Sequence, residues 1–209
     1  MLVREPAQRG ERRVNLRWRS KVPRLTVAYH APEVAHADSY ALQVLAIILA
    51  EGKVSRLYQR LVEREQSVTF VSAEYGEAKD PTLFQIRSEV RGSHSLDEIE
   101  DSVYNELSEI SKNGVTAHEL DRAQHQIEAH FILSRERTLD QTILLGQIEA
   151  LHSLEYIDSY LQRISTVTTE EIVDVCNRYL NEDNRTVGRL ISDGTDDKAE
   201  TGEGDREVE

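Results

Sequence analysis

The sequence predicts an α+β domain: an antiparallel sheet with helices packed on one face. Three observations carry this. A helix-length run from Ala41 to Ala50 is apolar except for Gln43, so protein must wrap it on nearly every side. Segments with a period of two flank that run on both sides. A tandem of amphipathic helical patterns then fills the second half, which suits helices layered on a sheet.

The elements follow in order. Residues 1–12 read as an extended, linker-like arm, and residues 13–192 as the folded domain. From 13 to 19 the chain alternates strictly, with Val14, Leu16 and Trp18 on one side and Arg13, Asn15, Arg17 and Arg19 on the other. That is a half-buried strand, with the apolar row expected inward. Pro23 breaks it, and Leu25, Val27 and Tyr29 continue in a second strand that Pro32 closes. The apolar helix starts near Asp38, and Gly52 is suited to end it because glycine tolerates a left-handed backbone. A second helix is expected from Ser55 to about Glu65.

Residues 67–75 and 82–91 read as a hairpin turned by Gly76 to Pro81, with Phe84, Ile86 and Val90 inward. Ser95-Leu96-Asp97-Glu98 is a capping box, followed by Ile99, Val103, Leu107 and Ile110 at helical spacing. Asn113-Gly114 ends that helix, and Thr116-Ala117-His118-Glu119 is a second capping box. It opens a stripe of Leu120, Ala123, Ile127 and Phe131. Leu139, Ile143, Leu144, Ile148 and Leu151 form another stripe, and Tyr156, Ile157, Tyr160 and Ile164 a shorter one. Thr168 or Thr169 caps the last helix, and residues 186–192 give a closing strand.

Composition excludes several functions. With 209 residues, 39% hydrophobic and 30% charged, the chain suits a soluble globular protein, and no stretch has the length of a membrane span. Net charge is −13, of which residues 193–209 hold −6 through eight acids against Lys198 and Arg206. That tail has almost no apolar residues and is expected to be disordered. Nothing is basic enough for nucleic acid. The single Cys176 excludes an internal disulfide and sits at an apolar helical position, so it reads as a structural thiol. It leans the compartment toward cytoplasm, with periplasm as the alternative.

A zinc search finds His118, His125 and His130 with Glu119 and Glu128. On a helix, i and i+5 lie about 140° apart, whereas i and i+4 lie about 40° apart. His125 and His130 therefore face different sides, and no three ligands gather as catalytic zinc requires. Glu77 with Asp80-Pro81 reads as turn chemistry. No catalytic or metal-ligating residue is assigned.

Gly52-x-x-Ser55-Arg56-Leu57-Tyr58-x-x-Leu61, together with Glu5-Pro6-x-x-x-Gly10-Glu11-Arg12-Arg13-Val14 and Pro32 before Asp38, resembles the non-catalytic C-terminal domains of pitrilysin/insulinase-type zinc metallopeptidases. The resemblance covers roughly residues 5–192. It implies one half of a processing-peptidase-like clamshell. This chain would bear no cofactor, zinc being expected in a His-x-x-Glu-His-bearing N-terminal domain or partner subunit, with a peptide substrate enclosed between them. The linker-like Arg4-Glu5-Pro6 would suit a piece of a longer chain or a separate subunit. An exposed strand edge would suit extended peptides. An isolated copy could pair with a second one. Such domains often lend an Arg and a Tyr seven residues apart to hold substrate. The matching positions here are Val62 and Thr69, with Phe70 one place on; these three are the expected substrate-facing residues. Val62 offers no cation and Thr69 no phenol, so substrate would be held otherwise. Phe70 reads first as a core residue. The alternative is a structural or interaction protein of the same fold with no peptidase role.

Overall fold

Three helices begin where the sequence supplies caps, at Ser95, Thr116 and Thr168. The computed structural model describes residues 6, 8–20, 22–133, 142–143, 145–146, 149–150 and 155–192. Strands β1 (Arg12–Trp18) and β2 (Arg24–Ala31) precede helix α1 (Asp38–Ala50). A short helical segment, Tyr58–Arg64, leads into the hairpin β3 (Val68–Tyr75) and β4 (Thr82–Val90). Helices α2 (Leu96–Asn113), α3 (Ala117–Leu133), α4 (Glu155–Ser165) and α5 (Thr169–Tyr179) follow, and β5 (Arg185–Ser192) closes the chain's described part. The stripe Leu139 to Leu151 falls largely outside the described residues, as does the acidic tail. Among the described residues no helix is long and apolar enough to cross a membrane.

The caps form as the residues dictate. Glu98 N–H donates to Ser95 Oγ at 3.1 Å, and Ser95 N–H donates to the Glu98 carboxylate at 3.1 Å. Thr168 and Glu171 repeat this at α5, and Thr116 and Glu119 at α3. Each box satisfies amides that the first turn leaves open. Gly114, at φ 73°, takes the left-handed conformation that releases the chain from α2. The segment after Ser55 differs from a regular helix. Glu65 N–H bonds Arg60 O at 2.9 Å, a five-residue step. Gln66 then enters the left-handed region at φ 52° to turn the chain into β3.

The sheet order is β1-β5-β2-β4-β3. All pairs are antiparallel except β1 with β5, which run parallel. The expected antiparallel sheet thus carries one parallel edge. Residues 180–184 alone separate α5 from β5, and this short connection delivers β5 between β1 and β2, so β5 meets its neighbours in opposite senses. Leu25, Val27 and Tyr29 of β2 and Phe84, Ile86 and Val90 of β4 point to the helix side and are buried. They meet α1, whose Leu42, Val44, Leu45, Ile48 and Leu49 are fully enclosed. Helix α1 touches β3, α3, α4 and α5, which explains why it is apolar almost all round. Cys176 lies in the same core, its thiol 3.6 Å from Leu107 O, and burial pushes its pKa up to about 12.

The first strand corrects the sequence reading. Its row Val14, Leu16 and Trp18 is not inward; these side chains are 59%, 55% and 65% exposed. The polar row points to the helices instead. Arg13 donates to Glu100 of α2 at 2.6 and 3.2 Å, and Arg189 of β5 donates to the same carboxylate at 3.0 Å. Tyr104 adds a bond at 2.7 Å. Burial opposes charge on Glu100, yet these donors hold its pKa below the ordinary value. Alternation defines two rows, but this ion cluster decides which one faces α2.

A second ion pair fixes the helical segment before β3. Arg56 grips Glu119 at 2.6 and 2.9 Å and reaches Gly114 O at 3.1 Å, tying that segment to the start of α3.

Two outcomes are expected. Glu100→Ala leaves Arg189 and the partly exposed Arg13 without their shared carboxylate and should cost about 3 kcal/mol, read by urea denaturation. Arg56, aided by Thr116, depresses Glu119 from the ordinary 4.5 to about 2. Because the folded value is the lower one, its stabilisation is full above pH 4.5 and is lost as pH falls toward 2. Glu119→Gln should therefore destabilise by ~2 kcal/mol at pH 7 and flatten the loss of stability through that window.

Candidate functional site: an open sheet face and an edge groove

The face of the sheet away from the helices is uncovered among the described residues. Register places Leu16, Leu190, Arg24, Glu89 and Phe70 in one row across all five strands. Arg24 and Glu89 pair at 2.9 Å in its middle. Val14, Gly188, Thr26, Arg87 and Ser72 form the next row. The β1 end of this face is therefore apolar, the centre is polar, and an aromatic ring closes the β3 end. Single exposed apolar residues are common, whereas three at alternate positions of one strand mark a contact surface.

The three expected substrate-facing residues lie around the start of β3. Thr69 occupies a bulge where β3 slips against β4 between Val68 and Phe70. Without it Phe70 would share the inward side of Val68. The extra residue turns Phe70 onto the open face, where it is 50% exposed. The reading of Phe70 as core is thus corrected. Thr69 is exposed beside it, while Val62 is half-buried against the core from the helical segment. The fold brings Thr69 and Phe70 together on the surface and keeps Val62 on the helical side.

A groove of about 350 Å³ runs along the other side of β3. Gln43, Ala46 and Ile47 of α1, Ala73 and Tyr75 of β3, and Phe131 of α3 line it with Tyr160 of α4. Tyr160 OH donates to Gln43 Oε1 at 2.7 Å. The Gln43 amide nitrogen is buried with no hydrogen-bond partner among the described residues. The sequence signal was present: Gln43 is the one polar side chain in the apolar run of α1. Its significance shows only once the groove is seen.

The histidines do not assemble. His130 lines this groove, while His125 lies in a separate hollow with Asp121 and Glu128. His125 Nδ1 lies 2.9 Å from Asp121 O on its own helix. Among the described residues no three His, Cys, Asp or Glu side chains are grouped to hold a metal ion.

Comparison with known proteins places this geometry in context. The family described as the peptidase M16 inactive domain matches residues 2–127. The zinc protease PqqE of Helicobacter pylori is 22% identical over 191 residues, 88% of this chain and 42% of that protein. The crystal structure of a protease from Helicobacter pylori superposes with a TM-score of 0.86 at 23% identity, covering 90% of this chain and 46% of that one. A peptidase M16 inactive domain from Pseudomonas fluorescens gives 0.78 at 20% identity, covering 92% of this chain and 47% of that one. The chain spans less than half the length of each of these three proteins. Gln43, Ala46 and Ile47 face the groove at the i, i+3, i+4 spacing by which His-x-x-Glu-His presents ligands and base to zinc. An amide, a methyl and a branched alkyl group do not fit that role.

Trp18 is the only tryptophan in the chain, so its fluorescence reports the open face directly. The isolated chain should emit as an exposed indole and be quenched by acrylamide nearly as well as a free tryptophan amide. A blue-shifted, protected emission would mean that this face is already covered.

Proposed function

This chain belongs to the family of peptidase M16 inactive domains, and from that premise we propose that it is the non-catalytic half of a zinc peptidase. It completes a peptide-binding chamber opposite a zinc-bearing half, which either precedes it in a longer chain or is a separate subunit. The observation that carries this is the exposed apolar row Val14, Leu16 and Trp18 on a sheet face that the domain's own described helices leave bare. Such a row invites a partner surface, and the partner named by the chemistry is the half that this one lacks. The zinc protease relative, more than twice the length matched here, supports the same division of labour.

In this reading the residues of this chain bind and enclose; they do not attack. Val14, Leu16 and Trp18 seat the partner. Phe70 and Thr69 present a ring and a short hydroxyl toward substrate, and Val62 backs them from the helical segment. Without an arginine and a tyrosine there, substrate is held by apolar contact and main-chain pairing. The partner's zinc, when bound, supplies an activated water. The groove residues Gln43, Ala46 and Ile47 supply no ligand to an ion.

The test uses this chain and a zinc-bearing half made as separate polypeptides. Calorimetry should show association that the double variant Leu16→Lys/Trp18→Lys weakens at least about tenfold, as loss of a buried anchor does. The variant's own thermal midpoint should hold, since both side chains are exposed. Peptide hydrolysis should require the mixture, disappear with chelator and survive His125→Ala in this chain. Stoichiometric zinc on this chain alone, with hydrolysis that His125→Ala abolishes, would overturn the reading.

A further inference from the structure

Residues 12–19 read Arg-Arg-Val-Asn-Leu-Arg-Trp-Arg, four arginines with no acid, in a chain whose net charge is −13. Arg13 gives its charge to Glu11 and Glu100. On the neighbouring strands Arg24, Arg185 and Arg189 each hold a carboxylate. Arg17 and Arg19 differ. Both are exposed, and neither meets a carboxylate among the described residues. Trp18 stands between them, 65% exposed. Two unpaired guanidinium groups beside a bare indole form a surface suited to an acidic segment, which their field attracts.

Such a segment is attached at this spot. Ser192 of β5 is in register with Trp18, and its hydroxyl donates to Ser20 O. Residues 193–209 follow Ser192 and hold eight acids against Lys198 and Arg206, with almost no apolar side chains. A chain of that length spans roughly 20 Å as a random coil, about the length of β1 at ~3.3 Å per residue. One exposed ion pair is weak alone. Tethering changes that, because at such short range the acids reach an effective concentration on the order of millimolar at the arginines. We propose that residues 193–209 dock along the end of β1, with carboxylates on Arg17 and Arg19, and that a partner meeting Val14, Leu16 and Trp18 must displace them. The contact is ionic. The segment brings almost no apolar groups to bury the indole, so Trp18 stays open to small solutes while the strand is closed to a protein surface. The displacement rests on the chamber reading; the docking of the segment does not.

The experiment uses the full 209-residue chain with Thr201→Cys carrying a nitroxide, which quenches an indole on contact. Cys176 is buried and its pKa is pushed up to about 12, so the label goes to residue 201 alone. Trp18 is the sole indole. At that effective concentration half or more of the molecules hold the contact, so emission should be at least about twofold lower than with the label reduced to its hydroxylamine. Full emission should return in about 0.5 M sodium chloride, where the screening length is roughly 4 Å. Arg17→Gln/Arg19→Gln should restore it at low salt, with an unchanged thermal midpoint because both side chains are exposed.

Undiminished emission, or quenching that survives both salt and the arginine substitutions, would overturn the proposal. Quenching that rises with protein concentration would show that the segment of a second copy occupies the strand, and would overturn it too. Adding a zinc-bearing half should relieve the quenching. Converting the eight acids of 193–209 to Asn and Gln should tighten that association at least about threefold, because the competing state is removed. A complex that forms with the quenching intact, or with affinity unchanged by those substitutions, would overturn the displacement. The chamber reading fails separately. Halves that do not associate at all sink that reading and leave the docked segment standing, whereas unquenched emission with association intact sinks the segment alone.

Discussion

The carboxylate of Glu100 decides how this domain meets the outside. Its side chain is only 4% exposed and takes donors from Arg13, Arg189 and Tyr104. A buried carboxylate needs such partners, because an isolated one would be expelled to water or protonated. Arg13 and Arg189 come from the parallel edge pair β1–β5, and Glu100 from α2. The sheet's edge pair is thus held to the helix layer by charge as well as by the buried Val187 of β5. The consequence follows from the pleat: with the arginines turned to α2, the alternate residues Val14, Leu16 and Trp18 must face the other way. An ionic choice inside creates an apolar surface outside.

The rest of the molecule divides along the same sheet. On the helix side β2 and β4 close an apolar core around α1. At the β3 margin the core opens into a groove, and the helix that fills the core also presents its one amide to it. On the bare side the domain offers apolar anchors at β1 and an aromatic ring at β3. This scaffold is that of the inactive-domain family to which the chain belongs.

Local features were legible in the sequence, because local physics sets them. The capping boxes at Ser95, Thr116 and Thr168 form between residues three apart, and the hairpin turn brings neighbours together. The all-round apolar run of α1 could only be a core helix. What the sequence hid depends on distant partners. Period two gives β1 two rows but no label for the inner one; that label comes from Glu100, 87 residues away. The parallel pairing with β5 joins the two ends of the folded region. Phe70 was misplaced because aromatic strand residues are so often buried; the bulge at Thr69 turns this ring outward instead. Val62, Thr69 and Phe70 were found as a stretch of chain, but the groove beside β3 needs three helices and a strand in place before it exists.

The most direct measurement is hydroxyl-radical footprinting of this chain alone and in complex with a zinc-bearing half. Oxidation of Val14, Leu16 and Trp18 should fall sharply in the complex, while Ile132 and Leu133 on the helix side stay as reactive as before. Unchanged oxidation of Trp18 in a formed complex, with protection on the helix layer instead, would contradict the claim that the bare sheet face is where the two halves meet.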